Sequence, residues 1–250
     1  MSGHSRWAQI KRKKGKTDVQ RGKLFSKILR EITVAARHGG GDAKVNMRLK
    51  AAIESAKDAN MPHENIKRAV QKGTGELPGE AYEEIVYEGF AAAGVALLVS
   101  VLTDNRNRTV HEIRHVFEKQ GGHMGASGAV AWMFERKGVI QVDAGKISED
   151  DLLTRALEAG AADMRRAEKA FEITTAPAEM DAVRAALEKG GVPVLEAEVS
   201  FVPQSMVRVE GKDAAVVVRL IEALEELDDV QAVYANYDIP DEVLEAISAA

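Results

Sequence analysis

The hydrophobic period of this chain changes near residue 80, and that change limits the fold more than any other feature. Before it, apolar residues recur every three to four positions. Phe25, Ile28, Leu29, Ile32 and Ala35 form one helical stripe, opened by a Thr17/Gln20 capping-box spacing and closed by the His38–Asp42 loop. A second helix is predicted over Ala43–Ala59 through Val45, Leu49, Ile53 and Ala56. A third begins at Pro62, carries Ile66 and Val70, and stops at Gly73. Three such helices are too small a unit to be very stable alone.

From Ala81 the period becomes that of strands. Glu84–Phe90 and the apolar run Val95–Leu102 predict two strands, the second buried on both faces. A helix over Thr109–Gln120 presents Val110, Ile113 and Phe117, and a strand follows at Ala129–Glu135. Residues 138–202 then read strand (Val139–Val142), helix (Asp150–Ala159, capped by Ser148), a strand pair ending at Phe171–Thr175, helix (Pro177–Lys189) and strand (Val194–Val202). This βαββαβ order is that of a ferredoxin-like sandwich. Met206–Val209, Ala214–Leu227 and Val230–Tyr234 supply a strand, a helix and a strand that complete the earlier, unfinished block. The expected fold is therefore α+β: an N-terminal three-helix domain (1–78), then two ferredoxin-like α/β sandwich domains, one (138–202) inserted into the other (79–137 with 203–247).

Charge divides the chain at the same place. The formal net charge of −5 combines +11 over residues 1–78 with −16 over 79–250. Ser2–Arg30 alone holds ten Lys and Arg against the single acid Asp18. Arg6, Lys11, Arg12, Lys13, Lys14, Lys16, Arg21 and Lys23 make a footprint for nucleic-acid phosphates, and Trp7 within the run can stack on a base. A solvated tail is the competing reading. The acidic remainder is left to face solvent or a protein partner.

Other chemistries have less support. The chain has no cysteine, so disulfides, thiolate metal sites and a cysteine nucleophile are excluded. No apolar run reaches the ~20 residues of a membrane span, and the start lacks the apolar core of a secretory signal, so a cytoplasmic protein without membrane association is expected. Thr103–Thr109 lies between a buried strand and a helix, where Arg106, Asn107 and Arg108 could form a second anion site; a polar turn with Asn107 as helix cap is the alternative. Gly121–Gly128 follows a helix rather than a strand, so it fails the dinucleotide fingerprint and reads as a flexible connector. His111-Glu112-Ile113-Arg114-His115 matches the zinc-hydrolase pattern HExxH, yet a helical wheel puts its His and Glu on the solvated face, opposite Val110, Ile113 and Phe117. Glu225 with Glu226 and Asp228 with Asp229 read as solvated carboxylates. No catalytic set, cofactor or metal site is expected.

Several stretches carry a family resemblance: Gly3-His4-Ser5-Arg6-Trp7, Arg21-Gly22-Lys23 with Phe25, Gly39-Gly40-Gly41-Asp42, Tyr87-Glu88-Gly89, Asp104–Thr109, Arg114-His115 and Gly121-Gly122. Through them the sequence resembles the YebC/PmpR family over nearly its whole length. The resemblance implies three domains, a helical one and two α/β ones, and no enzymatic activity. It also implies Arg114-His115, but not a histidine at position 111. Bacterial members are described as DNA-binding transcriptional regulators, while mitochondrial relatives resemble translational activators and some bacterial members act at the ribosome. The expected partner is thus DNA, with ribosomal RNA or the ribosome as the alternative. The absence of a clear helix-turn-helix recognition helix in residues 1–78 leans toward RNA.

Overall fold

The structure, a computed structural model, describes residues 18–167 and 170–249. Its first unit is three helices, α1 (Asp18–Gly39), α2 (Met47–Asp58) and α3 (His63–Thr74). The second begins at Met47 rather than at Ala43, because Asn46 takes the cap position. The Asn46 side-chain oxygen accepts from the Leu49 amide at 3.0 Å, while its Nδ2 donates to the carbonyls of Ala35 and Gly40, each at 2.8 Å. One buried amide thus starts α2 and fixes the end of α1. Val45, expected in the core, lies before this cap and is 76% exposed. Ile32, Leu49, Ala56 and Ile66 form the core with Met61 from the α2–α3 turn. Both α2 and α3 lie along α1 far more than on each other. The approach of α3 depends on Gly73, where a Cβ would collide with the Thr33 carbonyl oxygen.

The rest of the described chain continues as β1 (Glu83–Phe90), β2 (Ala96–Thr103), α4 (Arg106–Lys119), β3 (His123–Met124), β4 (Phe134–Asp143), α5 (Glu149–Glu158), β5 (Asp163–Ala167), β6 (Ala170–Thr175), α6 (Met180–Lys189) and β7 (Val194–Pro203). It closes with β8 (Val207–Arg208), α7 (Gly211–Glu225), β9 (Val230–Ala235), β10 (Tyr237–Asp238) and α8 (Asp241–Ala249). One antiparallel sheet has the order β5-β6-β4-β7, the ferredoxin-like arrangement of a βαββαβ unit. The other has the order β3-β1-β2-β9. It repeats that arrangement in space, but its second inner strand, β1, enters first in the chain. The β4–β7 unit is inserted between β3 and α7.

The strands expected separately at Ala129–Glu135 and Val139–Val142 form one. A short 3-10 turn, Ala131–Met133, leads into β4, which pairs with β7 from Phe134↔Pro203 to Val142↔Val194. Arg136-Lys137-Gly138 separates the two expected strands in sequence, yet the glycine is needed inside the strand because a Cβ there would strike Thr175 and Met180.

Strand β2 is buried on both faces, as its apolar run, interrupted only by Ser100, predicts. Leu97, Val99 and Val101 pack with Ile113 and Phe117 of α4 and Leu220 of α7. On the other face, Ala96 and Leu98 meet Val130 and Phe134, with Phe201 of the inserted unit beside them. The rings of Phe201 and Tyr234 meet edge to face with centroids 5.2 Å apart, so the two sandwiches share an aromatic seam.

Candidate nucleic-acid interface

Arg6, Trp7, Lys11, Arg12, Lys13, Lys14 and Lys16 lie outside the described residues, as does Thr17. The described part of the basic run begins on α1, whose cations fall on different sides of the helix. Arg21 is exposed. Lys23 is two positions on, about 200° around a helix of 3.6 residues per turn, and faces the α/β body.

Lys23, Lys27 and Arg30 share that inner face and reach the C-terminal end of α7. The Lys23 ammonium lies 2.7 Å from Glu226 Oε2 and donates to the Glu226 carbonyl at 3.1 Å. Lys27 donates to the Glu225 carbonyl at 2.6 Å, and Arg30 donates to the carbonyl of Asp228. The physical reason lies in α7, which has no basic residue in its last turn although its terminal carbonyls and Glu225 make that end negative. The missing positive charge comes from α1 instead. The hydrogen bond with Glu226 raises the Lys23 pKa above its ordinary value.

Arg30 also reaches Asp229, at 3.0 Å from Oδ1. The sequence placed Asp228 and Asp229 on a solvated surface, but Asp229 is only 3% exposed and forms a polar hub. Its Oδ2 accepts from Thr109 Oγ1 at 2.6 Å, from Arg108 Nη2 at 2.7 Å and from Thr103 Oγ1 at 3.1 Å. Burial opposes ionisation of Asp229, but these hydrogen bonds and the charges of Arg30 and Arg108 outweigh it and hold its carboxyl below the usual range.

That hub alters the chemistry of the Thr103–Thr109 turn. The cap of α4 is Asn105, not Asn107: its side chain accepts from the Arg108 amide at 3.1 Å. The Arg108 guanidinium lies 2.7 Å from both Asp104 and Asp229. An anion at this turn would therefore meet two carboxylates as well as the exposed Arg106 and Asn107.

Glu88 plays a comparable part for the Gly121–Gly128 loop. Its buried carboxylate accepts from the amides of Gly128, Val130 and Ala131 at 2.6, 2.7 and 2.8 Å. Desolvation would raise its pKa, but the three amides lower it below the ordinary carboxylate value. Gly122 touches its neighbours closely, since a Cβ there would lie 2.7 Å from the Phe90 carbonyl oxygen. The expected flexible connector is a pinned segment.

His111, Glu112 and His115 are exposed on α4. Among the described residues, no three His, Asp or Glu side chains are grouped to hold a metal ion. Among the same residues, no helix is long and apolar enough to cross a membrane.

Sequence reasoning missed the Asp229 hub and the capping of α7 from α1. The nearest signal was the coincidence of an acid-ended helix lacking terminal Lys or Arg with a basic helix whose Arg21–Arg30 stretch holds no acid. Nothing in the sequence tells which carboxylate meets which cation.

Together these features define a three-part α+β protein, in which a basic helical unit is clamped by its own cations onto a pair of ferredoxin-like sandwiches. Residues 5–76 match a family model described as the TACO1/YebC protein N-terminal domain, and residues 82–237 match one described as the TACO1/YebC second and third domain. The chain belongs to the TACO1/YebC family. It is 58% identical over 243 residues to a protein of Pelotomaculum thermopropionicum, covering 96% of this chain and all of that one. It is 54% identical over 248 residues to a protein of Aquifex aeolicus, covering 99% of this chain and all of the relative. Both relatives bear the name "Probable transcriptional regulatory protein". The crystal structure of a conserved hypothetical protein from Aquifex aeolicus superposes with a TM-score of 0.85 at 55% identity, covering 95% of this chain and 98% of that one.

Proposed function

We propose that this chain is a non-catalytic, cytoplasmic, nucleic-acid-binding regulator of gene expression. Regulation of transcription through DNA is the first reading, and it is supported by the names of the relatives. The carrying observation is the division of labour along the basic run. Lys23, Lys27 and Arg30 hold α1 to the body, which leaves Arg21 exposed on an anchored helix. Arg6, Lys11, Arg12, Lys13, Lys14, Lys16 and Arg21 neutralise phosphates, and Trp7 stacks or wedges. Lys23 reaches phosphate only by leaving Glu226, and Arg106, Asn107 and Arg108 offer a secondary contact. Residues 1–78 act as the binding domain, 79–137 with 203–247 as its platform, and 138–202 as an inserted domain whose acidic surface suits a protein partner.

One observation favours a second reading, association with RNA or the ribosome. The four residues between α2 and α3 have the length of a helix-turn-helix connection, but the two helices pack on α1 rather than on each other, unlike a helix presented to a major groove.

The test is a competition between promoter-length duplex DNA and purified ribosomes for labelled protein, across a salt series. If about five phosphates are neutralised, log affinity for duplex falls with log salt at a slope near −4.5. Selective retention of one duplex supports transcription, and ribosome binding that survives excess DNA supports translation. Binding to neither overturns the proposal.

A further inference from the structure

A groove of about 730 Å³ opens between α1, α3 and the segment joining the helical unit to β1. Its volume falls within the ~300–1,000 Å³ of sites that enclose small organic ligands. Leu29 and Ala69 line it from the two helices, and Pro78 and Tyr82 from the connecting segment. Arg68 and Lys72, four residues apart on α3, are exposed cations on this lining, and Asn65 lies one turn before them. The Arg30 guanidinium sits over the Tyr82 ring at 5.7 Å, and Tyr82 donates from its hydroxyl to Glu80 at 2.8 Å, so the aromatic wall is held from two sides. The segment can run close to α3 because of Gly79, where a Cβ would lie 3.0 Å from the Lys72 Cβ.

We infer that this groove takes one unpaired nucleotide of an RNA. This assignment rests on the nucleic-acid reading above and adds a site to it. The apolar lining and Tyr82 suit the faces of a base, the Asn65 amide offers both a donor and an acceptor to its edge, and Arg68 and Lys72 suit the flanking phosphates. Two cations that no carboxylate meets in an ion pair among the described residues, against the single acid Glu80, give the groove the charge complementary to a nucleotide. Paired bases in a duplex cannot enter it. Bulges and loops of folded RNA offer extruded bases, and duplex DNA does not.

The full chain would be titrated against three labelled stems: a fully paired RNA, the same RNA with one bulged adenosine, and the DNA version of the bulged stem. Wild type is expected to bind the bulged RNA roughly tenfold more tightly than the paired one, the order of a single base-stacking contact. Ser26→Trp, at an exposed position on the lining, fills the groove without changing charge and should erase that preference while leaving paired-stem affinity intact. Arg68→Ala with Lys72→Ala should reduce it severalfold. Equal affinity of wild type for paired and bulged RNA would overturn the groove assignment and leave the general nucleic-acid reading standing, as would a preference that survives Ser26→Trp. A stronger preference for the bulged DNA would overturn the assignment to RNA. Binding to none of the stems would overturn the groove assignment, and the general nucleic-acid reading with it only if promoter-length duplex DNA and ribosomes are also not bound.

Discussion

The Arg30 guanidinium, on the first described helix, lies 3.0 Å from the buried carboxylate of Asp229, which follows the long helix α7. The same carboxylate accepts hydrogen bonds from Thr103, Thr109 and Arg108. Asp229 therefore ties together the helical unit, the end of β2 and the start of α4.

Asp229→Ala removes the acceptor shared by Arg30, Arg108, Thr103 and Thr109, although Arg108 keeps Asp104 and Thr109 keeps the Asn105 carbonyl. A cost of about 1–3 kcal/mol is expected from the lost charge-assisted hydrogen bonds, since the cations left behind are partly solvated. Urea unfolding of the variant against wild type measures it, and a loss below about 1 kcal/mol would mean that Asp229 holds these elements together no better than an exposed ion pair.

The pH dependence has a defined sign. Asp229 and Glu88 both have folded pKa values below their ordinary ones. Their stabilisation is present above the unfolded values, about 4, and is lost as pH falls through the lower folded values. Stability should therefore decline below about pH 4, and it should decline less steeply in Asp229→Asn. Parallel acid-unfolding curves for the two proteins would remove Asp229 as a contributor.

Glu88→Gln puts an amide nitrogen where three backbone donors converge. A loss of about 1–3 kcal/mol is expected, with faster hydrogen exchange at Gly128, Val130 and Ala131 than elsewhere. Uniform exchange across the sheet would mean that Glu88 does not pin the loop.

Gly73→Ala forces α3 away from the Thr33 carbonyl on α1. Overpacking of this kind costs about 1–3 kcal/mol, and it should appear as a lower thermal midpoint for the helical unit. An unchanged midpoint would show that the two helices slide apart freely.

Charge reversal at Lys11, Arg12, Lys13 and Lys14 should abolish nucleic-acid binding at moderate salt and leave the thermal midpoint almost unmoved. Lys23→Glu should behave differently, because it sets a second carboxylate against Glu226 at the end of α7. It is expected to loosen the helical unit from the body, seen as faster proteolysis between residues 75 and 82. If arm reversal instead unfolds the protein, the cluster is structural.

The period change near residue 80 and the βαββαβ order were legible in sequence because local patterns generate them: helical stripes, apolar runs and turn residues each act within a few positions. The doubly buried β2 and the solvated face of α4 carrying His111 followed in the same way. Element limits set by side chains reaching across the fold were not legible. Asn46 starts α2 by bonding back to Ala35 and Gly40, and β4 continues through a charged, glycine-containing stretch because its partner strands and Met180 surround it.

The same distinction governs charge. The sequence by itself determined that a basic first third precedes an acidic remainder. Only the tertiary structure decided which cations are spent inside the molecule, because a charge is neutralised by whatever lies within a few ångströms of it. Lys23, Lys27 and Arg30 sit on the face of α1 that meets the negatively ended α7, and Asp229 lies between Arg30 and Arg108, so charges that look solvated in sequence hold the domains together.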